Sequence, residues 1–437
     1  GMCWFSRTKK RIYLDYASAT PVCAEALAAV VRGYDMCGNP GSIHAEGVAA
    51  KRLLQESRAR IARELAVKAR QIIFTSGATE GNNLAIVGLA RMIELRPVPM
   101  PVLRPRTEPA GRDASGREGA CVSARDVKTG MGTVRPILSG THWIVSSIEH
   151  DSVLECFSEI ERQGGEVTHV DPDARGIVSA EAVARALRPH TRLVSIGWAN
   201  NEIGIVQPLR EIARAIRAYE EEKKCTIFFH TDAGQAPLYL SPQVHTLGVD
   251  MAVFGSGKLY GPRGIGCLYV DNRVELAPLS FGGSQERGLR AGTENPALAA
   301  GFAEALMLAG RERQSEAKRI KVLRDYLASA ILARMPSAAI NGSLDYALPH
   351  MLNISLLGID TEYLTLALDA AGVSVATKSA CRETGEKRSH VVDALTSDEW
   401  RAAHTLRFSL GRGTSASDIE RTDAALATAL ASYRKML

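Results

Sequence analysis

The chain has 437 residues, 46% of them hydrophobic and 23% charged, which excludes disordered, collagen-like and coiled-coil classes and leaves a globular protein of two or three domains. A net charge of +5 comes from 53 Lys and Arg against 48 Asp and Glu, and much of the excess lies between Arg91 and Arg135, a segment with no aromatic residue, so a nucleic-acid surface is not expected. Eight cysteines without a C-x-x-C pair argue against a disulfide framework or a zinc site and predict a reducing, cytoplasmic setting, with no metal; no apolar run is long enough to predict a membrane span.

From residue 12 to about 270, short apolar runs alternate with longer helical patterns, the signature of an α/β fold with a parallel sheet covered by helices. Strands are predicted at 71–74, 142–146, 166–170, 193–197, 226–230, 251–254 and 266–270, with helices at 45–65, 151–163, 180–187 and 208–222 between them. The segment 97–136 is rich in Pro, Gly, Ser and Arg, has no apolar period, and predicts a flexible surface insertion. Beyond Pro296 come a long Ala/Leu-rich helix and short strands near 352–355, 373–376 and 406–409. This divides the chain into a large domain, 12–295, and a smaller C-terminal α+β domain, 296–437, against which the N-terminal segment could also pack.

Asp232 ends an apolar strand, with Gln235 three residues on, so an acid stands at the sheet edge where α/β folds bind ligands. Some 26 residues later, Phe254-Gly255-Ser256-Gly257-Lys258 places a lysine in a glycine-rich turn between two strands. A strand-end amine able to form a Schiff base, together with an acid able to pair with a pyridinium nitrogen, is the minimal pyridoxal-phosphate site. Either element alone is common structural punctuation. The turn Thr75-Ser76-Gly77-Ala78-Thr79-Glu80 joins a strand to a helix, where backbone N–H groups favour a phosphate, although Ser76 or Thr79 would serve equally well as a plain N-cap.

Further landmarks are Tyr13-Leu14-Asp15-Tyr16, Glu149-His150, Asn200-Asn201-Glu202, Arg290-Ala291-Gly292-Thr293-Glu294, Ser379-Ala380-Cys381 and Leu406-Arg407-Phe408-Ser409. With these the chain resembles, almost from end to end, the cysteine desulfurases of the NifS/IscS type, pyridoxal 5'-phosphate (PLP) enzymes of fold type I, with a mainly parallel seven-stranded sheet. The resemblance implies that Lys258 holds the cofactor as a Schiff base and moves the α-proton, that Asp232 keeps the ring nitrogen protonated, and that His150 stacks on the ring and transfers protons. Without it, a single histidine reads as a satisfied structural residue. Gln235 and Asn201 would bond the ring oxygen or the substrate. Ala78, Thr79 and Ser256 would hold the phosphate, joined across a homodimer interface by Thr293 of the partner subunit. Arg407 would clamp the substrate carboxylate, with Arg412 the competing, more structural candidate. Cys381, in a polar run that predicts a flexible loop, would take the sulfur of L-cysteine as a persulfide and pass it to an acceptor such as an iron–sulfur scaffold protein, leaving L-alanine.

Two features depart from the pattern. Gly257 stands where the family usually has His before the lysine, and 97–136 is an insertion at about the place where the related selenocysteine lyases carry one. L-Selenocysteine is therefore the alternative substrate. An ordinary fold type I aminotransferase-like enzyme, which has no use for Cys381, is the other alternative.

Overall fold

A computed structural model describes residues 11–95, 137–377 and 388–436. The predicted insertion at 97–136 and Cys381 lie outside these residues. Twelve strands and eleven helices are described. The strands are β1 (Ile12–Tyr13), β2 (Ile72–Thr75), β3 (His142–Ser146), β4 (Glu166–Val170), β5 (Thr191–Ser195), β6 (Phe228–Asp232), β7 (Met251–Gly255), β8 (Gly266–Val270), β9 (Ala339–Ile340), β10 (Met351–Ser355), β11 (Val373–Ser374) and β12 (Thr405–Ser409). The helices are α1 (Ala24–Tyr34), α2 (Ala45–Glu64), α3 (Ala78–Leu95), α4 (Asp151–Arg162), α5 (Ala180–Ala186), α6 (Leu209–Lys223), α7 (Pro296–Arg334), α8 (Thr361–Ala370), α9 (His390–Leu395), α10 (Glu399–Ala403) and α11 (Ala416–Met436).

The large sheet has seven strands in the order β2-β8-β7-β6-β5-β3-β4. Pairing from β4 through β7 is parallel, and β8 runs antiparallel to both neighbours. All seven predicted strands form; β5 and β6 are displaced from 193–197 and 226–230 because hydrogen bonding, not the apolar run, sets their ends. The strands read as continuous apolar runs because both faces are covered. Ile72, Phe74, Ile144, Val194, Phe229 and Phe254 pack on one side with α2, α5, α6 and the first half of α7, while Ile73, Trp143, Val145, Leu193, Met251 and Leu268 pack on the other with α3 and α4.

A second core forms around the three-stranded sheet β12-β10-β9, with α8, α11 and the second half of α7. Ile12 and Leu14 join this core, and β1 pairs in parallel with β11, so the N-terminal segment leaves the large sheet. Helix α7, 39 residues long, starts at an N-cap where Asn295 Oδ1 accepts from Leu298 N–H, with Pro296 preset at the first helical position.

The turn after Ser284 is held by a buried ion pair. Both terminal nitrogens of Arg58, on α2, donate to the Glu286 carboxylate, which also accepts from Phe74 N–H on β2 at 2.8 Å. Glu286 (φ 45°) and Arg287 (φ 61°) adopt left-handed conformations that non-glycine residues keep only when their surroundings hold them there. Glu286→Ala would leave the Arg58 charge buried without its partner and should cost about 3–5 kcal/mol. Urea denaturation of both proteins checks this, and a loss below about 1 kcal/mol, the range of exposed pairs, would show that the pair is not structural.

Candidate active site

The C-terminal ends of the parallel strands open into one cavity of about 430 Å³ with a small extension beneath it, which is where a doubly wound sheet places its ligand. Each strand delivers one kind of group. Beyond β3 come Glu149 and His150, beyond β5 Gly197 and Asn201, at the end of β6 Asp232 with Gln235, beyond β7 Lys258, and beyond β2 the turn from Ser76 to Thr79. Arg407 of β12 closes the far side.

Asp232 is held by two donors, Asn82 Nδ2 at 2.7 Å and Gly234 N–H at 2.8 Å. The same Asn82 amide donates to Ser152 Oγ at 2.9 Å, which in turn lies 2.9 Å from His150 Nδ1. A short polar chain thus joins the carboxylate to the imidazole. His150 is also the N-cap of α4: its Nδ1 accepts from Ser152 N–H at 3.0 Å, which puts the proton of the neutral ring on Nε2. Burial, helped by the nearby Lys258 charge, lowers the imidazole pKa below its ordinary value, so the ring is neutral at pH 7.

Glu149 sits beneath the cavity, where Gly197 N–H donates to its Oε1 at 2.7 Å. Position 197 needs glycine, because a Cβ there would stand 2.9 Å from Glu149 Oε2. Burial, reinforced by the Asp232 carboxylate, pushes the Glu149 pKa up to about 8. Asn82 and Glu149 carry roles that the sequence reading did not assign. Glu149 appeared only as part of a landmark, and no local signal marks Asn82, whose meaning comes from the crossing of α3 over the end of β6.

The phosphate expectations divide. Ala78 and Thr79 line the cavity at the first turn of α3, but Ser76 N–H is already taken by the Glu80 carboxylate, itself paired with Arg290 Nε at 3.1 Å. Ser256 does not line the cavity. Its side chain is fully buried on the side of Gly261, its Oγ has no hydrogen-bond partner, and the flanking Gly255 and Gly257 face the cavity instead. Ser256 opens the short helical turn Ser256–Lys258 that follows β7, and its Oγ points towards Gly261. Thr293 is exposed and does not line the cavity of its own chain. Gln235 lines the inner extension and spends its Nε2 on Ala17 O at 3.0 Å.

Arg407 is only 2% exposed, and its terminal nitrogens donate to Asp15 Oδ1 (2.8 Å), Ser18 Oγ (2.7 Å) and Asn201 O (2.8 Å), leaving Nε without a partner. Asp15 is a further residue that sequence reading quoted without assigning it this task. Arg412 stands apart from the cavity, over the Tyr260 ring and paired with Glu312 at 2.8 Å.

These groups fit PLP. A strand-end amine, an acid oriented by two donors, a neutral imidazole and a helix N-terminus face one cavity of suitable size. The fold and the site define a PLP-dependent enzyme of fold type I. Comparison agrees: residues 12–97 and 121–422 match the family Aminotransferase class-V. The cysteine desulfurase IscS of Dictyoglomus turgidum is 34% identical over 95% of this chain and 93% of its own. A solved NifS-like protein superposes with a TM-score of 0.81 at 29% identity, covering 96% of this chain and 99% of that one. SspA, solved in complex with cysteine, gives 0.70 at 31% identity, covering 91% and 98%. The chain therefore belongs to the aminotransferase class-V family, and within it to the cysteine desulfurases of the NifS/IscS type. These relatives do not favour the selenocysteine lyase alternative.

Glu149 gives the site a pH signature. The native carboxyl keeps a proton that the unfolded chain has released, so its contribution to stability is complete below about pH 4.5 and is lost as pH rises through about 8. Glu149→Gln, uncharged throughout, should flatten the fall in melting temperature across that window in calorimetry. Equal slopes for the two proteins would remove Glu149 as its source.

Proposed function

We propose that this protein is a PLP-dependent cysteine desulfurase that converts L-cysteine to L-alanine and stores the sulfur on Cys381 for transfer to an acceptor such as an iron–sulfur scaffold protein. The observation that carries this reading is the convergence of Lys258, Asp232 and His150 on one cavity, with Arg407 across from them. Bound PLP would supply an electron sink next to the amino-acid Cα. Lys258 would hold the cofactor covalently and take the proton from Cα. Asp232, kept in place by Asn82 and Gly234, would keep a proton on the pyridine nitrogen. His150, neutral with its proton on Nε2, would stack on the ring and pass that proton within the site. Asn201 would orient the substrate and Gln235 the ring oxygen, with Ala78 and Thr79 at the phosphate end. Thr293 of the partner subunit would complete that end.

The substrate carboxylate would go to Arg407, exchanging for part of the Asp15 and Ser18 contacts. The Cys381 thiolate would attack the substrate sulfur. The C–S bond breaks with its electrons going to Cβ, which takes a proton to give alanine, while the new S–S bond leaves a persulfide, so no external oxidant is needed. Support for Cys381 comes from the anchors on either side of it. Ala376 bridges to Arg407, and His390 Nε2 lies 3.1 Å from Glu149 O. Five residues beyond Ala376 can span roughly 17 Å, enough to reach the cavity from that anchor. Cys381→Ser should abolish sulfide and alanine formation from L-cysteine, by at least about 100-fold, while the cofactor's visible absorbance stays. Lys258→Ala should lose both. Desulfuration surviving in Cys381→Ser would overturn the persulfide role.

A homodimer is supported by an apolar stripe on α1. Leu27, Val31 and Tyr34 are more than half exposed at helical spacing, beside Val48 of α2. Asn295 Nδ2 donates to Tyr34 Oη at 2.9 Å, which links this stripe to the segment bearing Thr293. Val31→Glu should yield a monomer in light scattering with weakened PLP retention. A dimer of unchanged mass would exclude this face.

A further inference from the structure

At the end of the cavity next to the turn 76–79, the wall facing that turn carries no side-chain donor. Gly255 and Gly257 line it and offer no side chain, and Ser256 between them faces away. The wall is close: a Cβ on Gly255 would lie 3.5 Å from Ala78 Cβ, and one on Gly266 would lie 3.0 Å from Gly77 Cα. On the opposite wall, the N-terminus of α3 already carries the Glu80 carboxylate, whose charge Arg290 offsets. A phosphate dianion placed there would meet a helix end worth about half a positive charge and an ion pair with no net charge.

Among the described residues, a second arginine reaches this cavity besides Arg407. Arg263 lines the same cavity beside Gly264 and Ile265, is exposed, and makes no hydrogen bond or ion pair with another described residue. Its Cγ lies 3.4 Å from where a Cβ on Gly257 would stand, so the arginine stem runs beside the space that a residue-257 side chain would use. A guanidinium is suited to gripping two oxygens of a phosphate monoester at once.

We propose that Arg263 is a cofactor-binding residue whose guanidinium takes the phosphate of PLP, replacing the contact that position 257 cannot make in this chain. The assignment rests on the PLP-dependent reading above. It also accounts for glycine at 255 and 257, since the donor arrives from the following turn instead of from the residues next to the lysine.

The test uses the full-length protein, stripped of cofactor and titrated with PLP or with pyridoxal, which lacks the phosphate, while visible absorbance is followed. Arg263→Ala should weaken PLP binding by about 10- to 100-fold, the loss of a charged hydrogen-bonded contact. It should leave pyridoxal binding unchanged. Arg263→Lys should retain most of the affinity. Arg263→Ala combined with Gly257→His should recover part of it. That histidine is sterically admissible, because Gly257 is not left-handed and the Cγ it would approach has been removed. Equal weakening of PLP and pyridoxal, or unchanged PLP affinity in Arg263→Ala, would overturn the proposal. So would a higher KM for L-cysteine with PLP affinity intact, which would move Arg263 to the substrate carboxylate. If wild type takes up no PLP, the functional reading itself fails; uptake by wild type with an indifferent Arg263→Ala overturns this assignment alone.

Discussion

A guanidinium shut away to 2% exposure is tolerated only where its charge and its donors are met, and the way Arg407 is met ties the molecule together. Its partners come from the N-terminal segment, through Asp15 and Ser18, and from the loop after β5, through Asn201. Beside it, Asn353 of β10, its register partner, donates to Glu202 O, and Ser389 Oγ donates to the Glu202 carboxylate. The small sheet is therefore fixed to the edge of the large one by polar contacts at the cavity. An arriving carboxylate does not meet a bare cation there. It would compete with Asp15, so binding would trade one ion pair for another without leaving the buried charge uncompensated.

The parallel register explains why the remaining groups meet. Ser195 aligns with His230, and Asp232 aligns with Val253, so the ends of β5, β6 and β7 come out side by side. Two carboxyls then share one cavity floor in unlike surroundings. Asp232 has two donors and an outlet to the cavity, whereas Glu149 is enclosed and close to a like charge, which raises its pKa to about 8. Environment, not residue type, sets whether a carboxyl keeps its proton. The neutral Glu149 spares the floor a second negative charge beside the acid that would face the cofactor ring.

The strands were legible because burial on both faces leaves unbroken apolar runs such as 266–270 and 142–146, and the strand-end acid and lysine were legible because their neighbours mark the sheet edge. What remained hidden was direction. Nothing in Gly266–Val270 announces that β8 runs against its neighbours. The orientation of Ser256 was hidden for a similar reason, since the side from which a side chain leaves a tight turn depends on dihedrals that composition does not report. Asn82, Glu149 and Asp15 acquire their tasks from residues 150, 48 and 392 positions away, and such pairings exist only after the core has formed.

Helix α7 links the two cores and the exposed stripe mechanically. At 39 residues it is about 58 Å long, with its first half packed against α1 and α2 and its second half inside the C-terminal core. Its N-cap, Asn295, stands two residues beyond Thr293 and bonds Tyr34 on the apolar face of α1. A Cβ on Gly33 would lie 2.5 Å from Ala297 Cα, so α1 and the start of α7 touch backbone to backbone with no room for slippage. Whatever covers α1 is thereby placed in fixed relation to Thr293. In a two-fold pair that would carry the threonine of one protomer towards its partner's cavity without a dedicated arm, because the same rigid junction holds both the apolar stripe and the threonine.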